Sequence, residues 1–399
     1  MDERPKIAVF ANSAWYVYNF RLNFIEKLRL RGFEILLLTP PGRYADRLTA
    51  LGFRCEHIAL QRRSLLPWRE LALVARLAKV LRHERVDLIH GFTIKCAIYG
   101  SLAGRVSGVT GRVGAVTGLG YVFSGNTVGA RALRPFVRLL LKASMSGKNF
   151  RLIVQNVDDA AVFGEQHLVD NRSVRIIRGS GVDCRRFRPP TRRTEGDAMT
   201  VLLAARLLWQ KGISEYADAA RKLRADGHTV RFLLAGEIDP GNPNSVDAGS
   251  MSTWQEDGLF TWLGHVDDMA SLLGSVDVVV LPSYYGEGLP KSLLEAAASG
   301  CALVATDMPG CREIVEHEKT GLLVRPRDSI ALSSAILRLR DPDLRRTLGD
   351  AARRKAAAEF SDEVVFERTL EVYGELLPLL SNRRASVAPR RCGPTRRQG

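Results

Sequence analysis

The chain has 399 residues, 46% hydrophobic, 25% charged and 7% aromatic. That length allows two or three domains with full cores, and the apolar fraction excludes a disordered chain. Lys and Arg number 58 against 43 Asp and Glu, a formal charge of +15, and no stretch approaches the roughly 20 apolar residues that cross a bilayer.

The N-terminus, MDERPKIAVF, passes from charges straight into a strand pattern. It has no apolar h-region or cleavage site, so the chain is expected in the cytoplasm. Short apolar runs then alternate with longer helical periods. Strands are predicted at Ile7–Ala11, Ile35–Thr39, Arg54–Ile58, Leu88–His90, Arg112–Val116, Leu152–Gln155 and Val174–Ile177. Helices among them include Phe20–Arg31, Leu71–Arg82 and Ala132–Met145. The second half restarts the pattern with strands at Thr200–Ala204, Arg231–Ala235, Phe260–Leu263, Val276–Leu281, Ala302–Ala305 and Leu322–Val324. Its helices fall near Ile213–Asp226, Met269–Gly274, Lys291–Ser299 and Ser329–Leu339. Near-continuous apolar strands alternating with helices predict an α/β fold of parallel sheets covered on both faces.

Both periods break at Phe187–Met199, where Pro189, Pro190 and polar residues cluster. This places one doubly wound domain at residues 1–188 and a second at 189–380, with the last helix free to pack back on the first. Residues 381–399 form a basic tail without hydrophobic periodicity, expected to be disordered. Two such domains bind their ligand in the crevice between facing strand ends.

The charge is uneven. Residues 1–190 hold 31 Lys/Arg and 14 Asp/Glu, a net of +17, while residues 191–380 hold 21 and 29. The basic half is expected to meet an anion: nucleic acid, a membrane face or a phosphorylated substrate. Arg131, Arg134, Arg138 and Lys142 recur at helical spacing, while Leu133, Val137, Leu140 and Leu141 fill another face. This stripe fits a membrane-surface helix, and it also fits an ordinary helix with its cations in water. Trp68 beside Arg62, Arg63 and Arg69 has the same two readings. No reader motif or aromatic-interleaved basic stripe supports nucleic acid as a partner. The six cysteines form no C-x-x-C pair and no zinc-spaced cluster, which points to reduced thiols.

The most informative stretch is VDVVVLPSYYGEGLPKSLLEAAASG. A buried strand ends at Pro282, a loop carries Gly286, Glu287 and Gly288, and Pro290 opens a helix. The positive end of that helix faces the strand ends, where phosphates bind. Glu287 in the loop and Glu295 inside the helix suit sugar hydroxyls, because carboxylates are strong acceptors. After the strand Thr200–Ala204, the loop ARLLWQKG presents Arg206 and Lys211, a bidentate clamp and a point charge for phosphate.

These marks resemble the retaining, nucleotide-sugar-dependent glycosyltransferases of family 4, over about residues 5–378. GSGVD at Gly179–Asp183 and the segment FTWLGHVDD belong to the same resemblance. It implies the GT-B fold, two Rossmann-like doubly wound domains facing across a cleft, and a UDP-sugar donor with no further cofactor. Catalytic roles fall to Arg206 and Lys211, on the donor diphosphate, and to Glu287, on the transferred sugar with Gly288, Leu289 and Pro290. Glu295 is implied to hold the ribose, and Gly264, His265 and Val266 the nucleobase. Departure of UDP would be stabilised by the cations and the helix start, with front-face attack and retention.

FANSAWYVYNFRLNFIEKLR, HGFTIKCAIYGS, TGLGYVFSG and IVQNVDDAAVF resemble a narrower group that extends a sugar on undecaprenyl diphosphate. The known examples include N-acetylgalactosaminyltransferases acting on diacetylbacillosaminyl-diphospho-undecaprenol. The resemblance implies transfer of an N-acetylhexosamine to a polyprenyl-diphosphate-linked saccharide, with Asn19, Arg21, Thr93, Lys95, Thr117 and Gly118 toward the acceptor. It also favours docking of Arg131, Arg134, Arg138 and Lys142 on an anionic membrane, placing the enzyme peripherally on the inner face.

One departure stands out: where many members carry a His near the sugar, this chain has Thr117–Gly118, and His90 lies at the end of an earlier strand. No general base is assigned. The only D-x-D, Asp341–Asp343, lies off the strand ends and no metal is expected; Asp158–Asp159 and Asp267–Asp268 read as helix caps. A family 4 enzyme with a non-lipid acceptor, and a UDP-sugar epimerase or hydrolase, are the alternatives.

Overall fold

A computed structural model describes residues 4–60, 67–116, 138–190, 198–239, 241–286 and 288–377. Seven strands form the first sheet: β1 Lys6–Ala11, β2 Glu34–Thr39, β3 Arg54–His57, β4 Leu88–Phe92, β5 Gly111–Val116, β6 Phe150–Val154 and β7 Val174–Ile176. Their order is β3-β2-β1-β4-β5-β6-β7. Six form the second: β8 Met199–Ala204, β9 Val230–Ala235, β10 Thr261–Gly264, β11 Val278–Leu281, β12 Ala302–Thr306 and β13 Leu322–Val324. Their order is β10-β9-β8-β11-β12-β13, and every pairing in both sheets is parallel. The strand order reverses once in each sheet, between β1 and β4 and between β8 and β11, which is where doubly wound sheets open a crevice at their carboxyl ends.

All thirteen predicted strands are present with ends shifted by at most two residues. The predicted helix Phe20–Arg31 is instead two helices, Ala14–Phe20 and Leu22–Leu30, broken at Arg21, whose φ of −129° and ψ of −3° leave the helical region. Successive strand residues point to opposite faces. Ala8, Phe10, Leu36 and Leu38 pack under Leu77 and Leu81 of the helix Pro67–His83. Ile7, Val9 and Leu37 pack against Phe24, Ile25 and, from the far end of the chain, Phe366 and Tyr373.

Those last residues belong to the helix Asp362–Leu376, which follows the second sheet in sequence and lies on the first. The chain returns beside its own outward crossing. The Val182 N–H donates to the Phe360 carbonyl at 3.0 Å, and the Asp362 N–H donates to the Val182 carbonyl at 3.0 Å. Among the described residues no helix is long and apolar enough to cross a membrane. The tail 381–399 lies outside the described residues.

Candidate active site

The loops after β8, β11 and β12 converge at the carboxyl edge of the second sheet. After β8, Arg206 is exposed, 3.8 Å from the Asp239 carboxylate, and Lys211 closes the 3-10 turn Trp209–Lys211. Gly212 follows at φ +76°, and a Cβ there would lie 2.2 Å from the Pro282 carbonyl oxygen, so only glycine lets this turn seat on the end of β11. The seat is bonded. The Tyr284 N–H and the Ser283 hydroxyl both donate to the Gln210 carbonyl at 3.1 Å, and the Thr306 hydroxyl donates to the Ser283 carbonyl.

The helix Lys291–Ala298 starts beside this seat. Pro290 is its N-cap, at φ −65° and ψ 116°, one residue before the first helical position predicted for it. A proline at that position offers no side-chain acceptor, and no side chain caps the helix, so its first amides present a positive end. The Leu289 N–H donates to Gln155 Oε1, from the end of β6, at 2.8 Å. Lys291 Nζ donates to the Asn19 carbonyl at 2.9 Å, lies 3.7 Å from Glu295 Oε1 and sits 4.5 Å from the centre of the Phe20 ring. Burial pushes the Glu295 carboxyl above the usual carboxylate range, with Lys291 and Arg186 acting against it. Burial likewise pulls the Lys291 ammonium down, against the pull of Glu295.

A cleft cavity of about 380 Å³ brings these pieces together. Its second-domain wall holds Arg206, Lys211, Gly288, Leu289 and Pro290, and its first-domain wall holds Tyr16, Phe20, Gln155 and Ser180. Five sequence-selected residues therefore converge on one cavity. Glu295 lies beyond its rim, paired with Lys291. Gly264, His265 and Val266 stand at the end of β10, off the cavity wall; His265 Nε2 is 3.3 Å from Asp267 Oδ1. Glu287 lies outside the described residues, as do Thr117, Gly118, Arg131, Arg134, Arg62 and Arg63.

Among the acceptor candidates, Asn19 contributes its carbonyl to Lys291. Arg21 is 6% exposed, donates to the Tyr16 hydroxyl at 3.1 and 3.0 Å, and stacks 4.4 Å from the Phe92 ring centre. Thr93 follows β4 as the N-cap of the helix Ile94–Ser107, at φ +76°, a strained conformation for a β-branched residue at the switch point of the first sheet. Lys95 pairs with Glu70 at 3.0 Å. Tyr16, Phe20, Gln155, Ser180 and Lys291 had not been singled out from the sequence as site residues.

His90 is internal to β4, 2% exposed, with Nδ1 2.7 Å from the Tyr373 hydroxyl. Burial, with Arg21 nearby, holds its imidazole well below the usual range, so the ring is neutral and faces the core. Among the described residues no group of three or more His, Cys, Asp or Glu is arranged to hold a metal ion. Asp341 accepts from the Asp343 and Leu344 N–H groups and caps the helix Pro342–Glu359, and Asp268 caps Met269–Gly274. The Asp158–Asp159 reading needs correction: Asn156 caps that helix, accepting from the Asp159 N–H at 2.7 Å. Among the described residues Cys55, Cys96, Cys184, Cys301 and Cys311 form no disulfide.

Comparison with known proteins divides the chain as the two sheets do. Residues 6–156 match the family described as glycosyl transferase 4-like, and residues 198–341 the family described as glycosyl transferases group 1. The protein is thus a glycosyltransferase with the two-domain GT-B architecture. An N,N'-diacetylbacillosaminyl-diphospho-undecaprenol alpha-1,3-N-acetylgalactosaminyltransferase from Campylobacter jejuni is 28% identical, over 93% of this chain and 99% of that protein. A UDP-Gal:alpha-D-GlcNAc-diphosphoundecaprenol alpha-1,3-galactosyltransferase from Escherichia coli is 23% identical, over 77% of this chain and 80% of its own. The solved structure of Anabaena HepE in complex with UDP has the same fold, with a TM-score of 0.77 and 19% identity over 93% of this chain and 100% of that one. The first domain thus carries the glycosyl transferase 4-like match and the second the glycosyl transferases group 1 match.

Proposed function

We propose that this enzyme moves an N-acetylhexosamine from a UDP-sugar to a saccharide carried on a polyprenyl diphosphate, with retention at the anomeric carbon. The observation that carries the reading is the cleft cavity, where Arg206 and Lys211 stand on the same wall as an uncapped helix start. The bond from the sugar's anomeric carbon to the diphosphate oxygen breaks, and UDP leaves with the electron pair. The two cations and the helix amides stabilise that charge, and one preorganised donor of this kind contributes about 2.7–4 kcal/mol. The acceptor hydroxyl attacks the same face, and its proton passes to the departing phosphate. Glu287 with Gly288–Pro290 would contact the transferred sugar, Glu295 the ribose, and Gly264–Val266 the base. Asn19, Arg21, Thr93, Lys95, Thr117 and Gly118 would line the acceptor side. No cofactor or metal is called for, because positive side chains take the role of a cation on the diphosphate; turnover unchanged in EDTA checks this.

Two relatives support the acceptor class, since both names specify a saccharide on diphosphoundecaprenol and an alpha-1,3 linkage. The first domain supports attachment to an anionic membrane at the inner face of the cell. Trp68 and Leu139 are 66% and 67% exposed, next to Arg69 and to Arg138. The helix Pro67–His83 and the helical residues 138–144 share one core cluster through Leu77 and Leu141. Exposed Trp and Leu among cations suit a lipid interface, where each Lys or Arg contributes about 1 kcal/mol.

The test is a panel of UDP-sugars against polyprenyl-diphosphate saccharides, with the product's anomeric configuration read by NMR. An α-linked product from the α-linked donor is expected. UDP and free sugar released at the same rate without acceptor would replace the reading with hydrolysis.

A further inference from the structure

We infer that Gln155 is a positioning residue that aims the donor-binding helix start from the opposite domain. It directly follows β6 in the first sheet, is 7% exposed, and walls the cleft cavity. Its Oε1 accepts the Leu289 N–H at 2.8 Å across a sequence separation of 134 residues. On its other flank Leu289 meets Gly179, where an added Cβ would already lie 3.4 Å from the Leu289 Cβ. The residue two before the helix Lys291–Ala298 is therefore held by Gln155 and Gly179, neither of them in the second sheet. Lys291, the first residue of that helix, reaches the same domain through the Asn19 carbonyl.

The chemistry of the side chain fits this task. An amide oxygen accepts the Leu289 N–H without adding negative charge beside the diphosphate, whereas a carboxylate would repel it. A second reading, in which Gln155 merely occupies an amide that phosphate later claims, predicts tighter UDP binding once the side chain is removed. The contact with Gly179 argues against it, because Leu289 is lodged toward the first domain rather than toward Arg206 and Lys211.

The inference rests on placing the donor diphosphate between Arg206, Lys211 and this helix start. UDP binding by calorimetry to wild type and R206A tests that placement by itself. If R206A binds UDP normally, the placement and the inference both fall. With the placement upheld, Gln155→Ala should lower kcat about tenfold or more, because small misplacements of a site are costly, while Kd for UDP stays within about threefold. Gln155→Glu keeps an acceptor oxygen and should recover most of kcat, but with a raised KM for the UDP-sugar. A purely structural role would lower the melting temperature of both variants alike and give no split between kcat and KM. Wild-type kcat in Gln155→Ala, or tighter UDP binding, overturns the assignment.

Discussion

Gly212→Ala tests whether the seat between the loops after β8 and β11 holds the donor site in shape. The new Cβ would meet the Pro282 carbonyl oxygen at 2.2 Å, at a residue whose φ is +76°. The left-handed backbone costs a residue with a side chain about 1–2 kcal/mol, and forcing atoms into a packed site costs about 1–3 more. The sum, about 2–5 kcal/mol, corresponds to a fall of about 4–20 °C in the melting temperature of a domain this size. Relief of the clash must move the turn by about 1 Å, and displacement of that order costs up to about 100-fold in turnover. Lys211 is the residue displaced, being adjacent in sequence. Gly274→Ala is the matched control: nothing lies within 4 Å of its Cβ position and its φ is not positive. That change should be neutral or stabilise by about 0.4–1 kcal/mol. The assays are thermal melting and steady-state transfer from a UDP-sugar. If Gly212→Ala melts and turns over like Gly274→Ala, the close approach has no energetic meaning and the loops are not coupled.

Arg206→Ala and Lys211→Ala should each lower turnover by orders of magnitude with unchanged melting temperatures, since neither side chain is buried in the core; wild-type kinetics would remove that residue from the site. An ionised Glu295 accepts ribose hydroxyls more strongly than a protonated one, and burial raises its carboxyl above the usual range, so UDP affinity should weaken as pH falls through that raised value, with Glu295→Gln weaker but flat. The same shift makes Glu295 a more favourable group for the unliganded fold at low pH, a contribution lost as pH rises through its raised value, so unliganded stability and UDP affinity should move in opposite directions. Replacing Arg131, Arg134, Arg138 and Lys142 by Gln should release the protein from anionic vesicles while sparing UDP binding, because the proposed donor contacts are in the other domain. Vesicle binding unchanged by the substitutions and by added salt would assign those cations to water.

The strands were readable because parallel strands buried on both faces are short unbroken apolar runs, as Val278–Leu281 and Ala302–Thr306 are. Arg206, Lys211 and Gly288–Pro290 were readable as neighbours because each follows the end of a strand in one sheet. The helix Ala14–Phe20 was not, since AWYVYNF is apolar on nearly every side and shows no 3.6-residue period. Its Tyr16 and Phe20 nonetheless form the facing wall of the cleft. Gln155 and Lys291 meet partners 134 and 272 residues away, and no local spacing encodes such pairs. His90 looked like a strand-end residue because β4 runs two residues further than its apolar run, and its partner Tyr373 comes from the last helix.

That last helix makes the order of the domains along the chain different from their order in space. The polypeptide leaves the first sheet near Val182 and re-enters it at Asp362, and Gly181 lies so close there that a Cβ would stand 2.7 Å from the Asp362 Cα. A chain cut after residue 188 would therefore strand Phe366, Val372 and Tyr373 with the wrong half and deprive Phe24 of the Phe366 and Tyr373 rings that cover it. During synthesis the first domain waits in the same condition, one face of its sheet only partly covered until the whole second domain has emerged. A polypeptide truncated between Asp362 and Leu376 therefore keeps the second domain's core whole and lacks part of the first domain's.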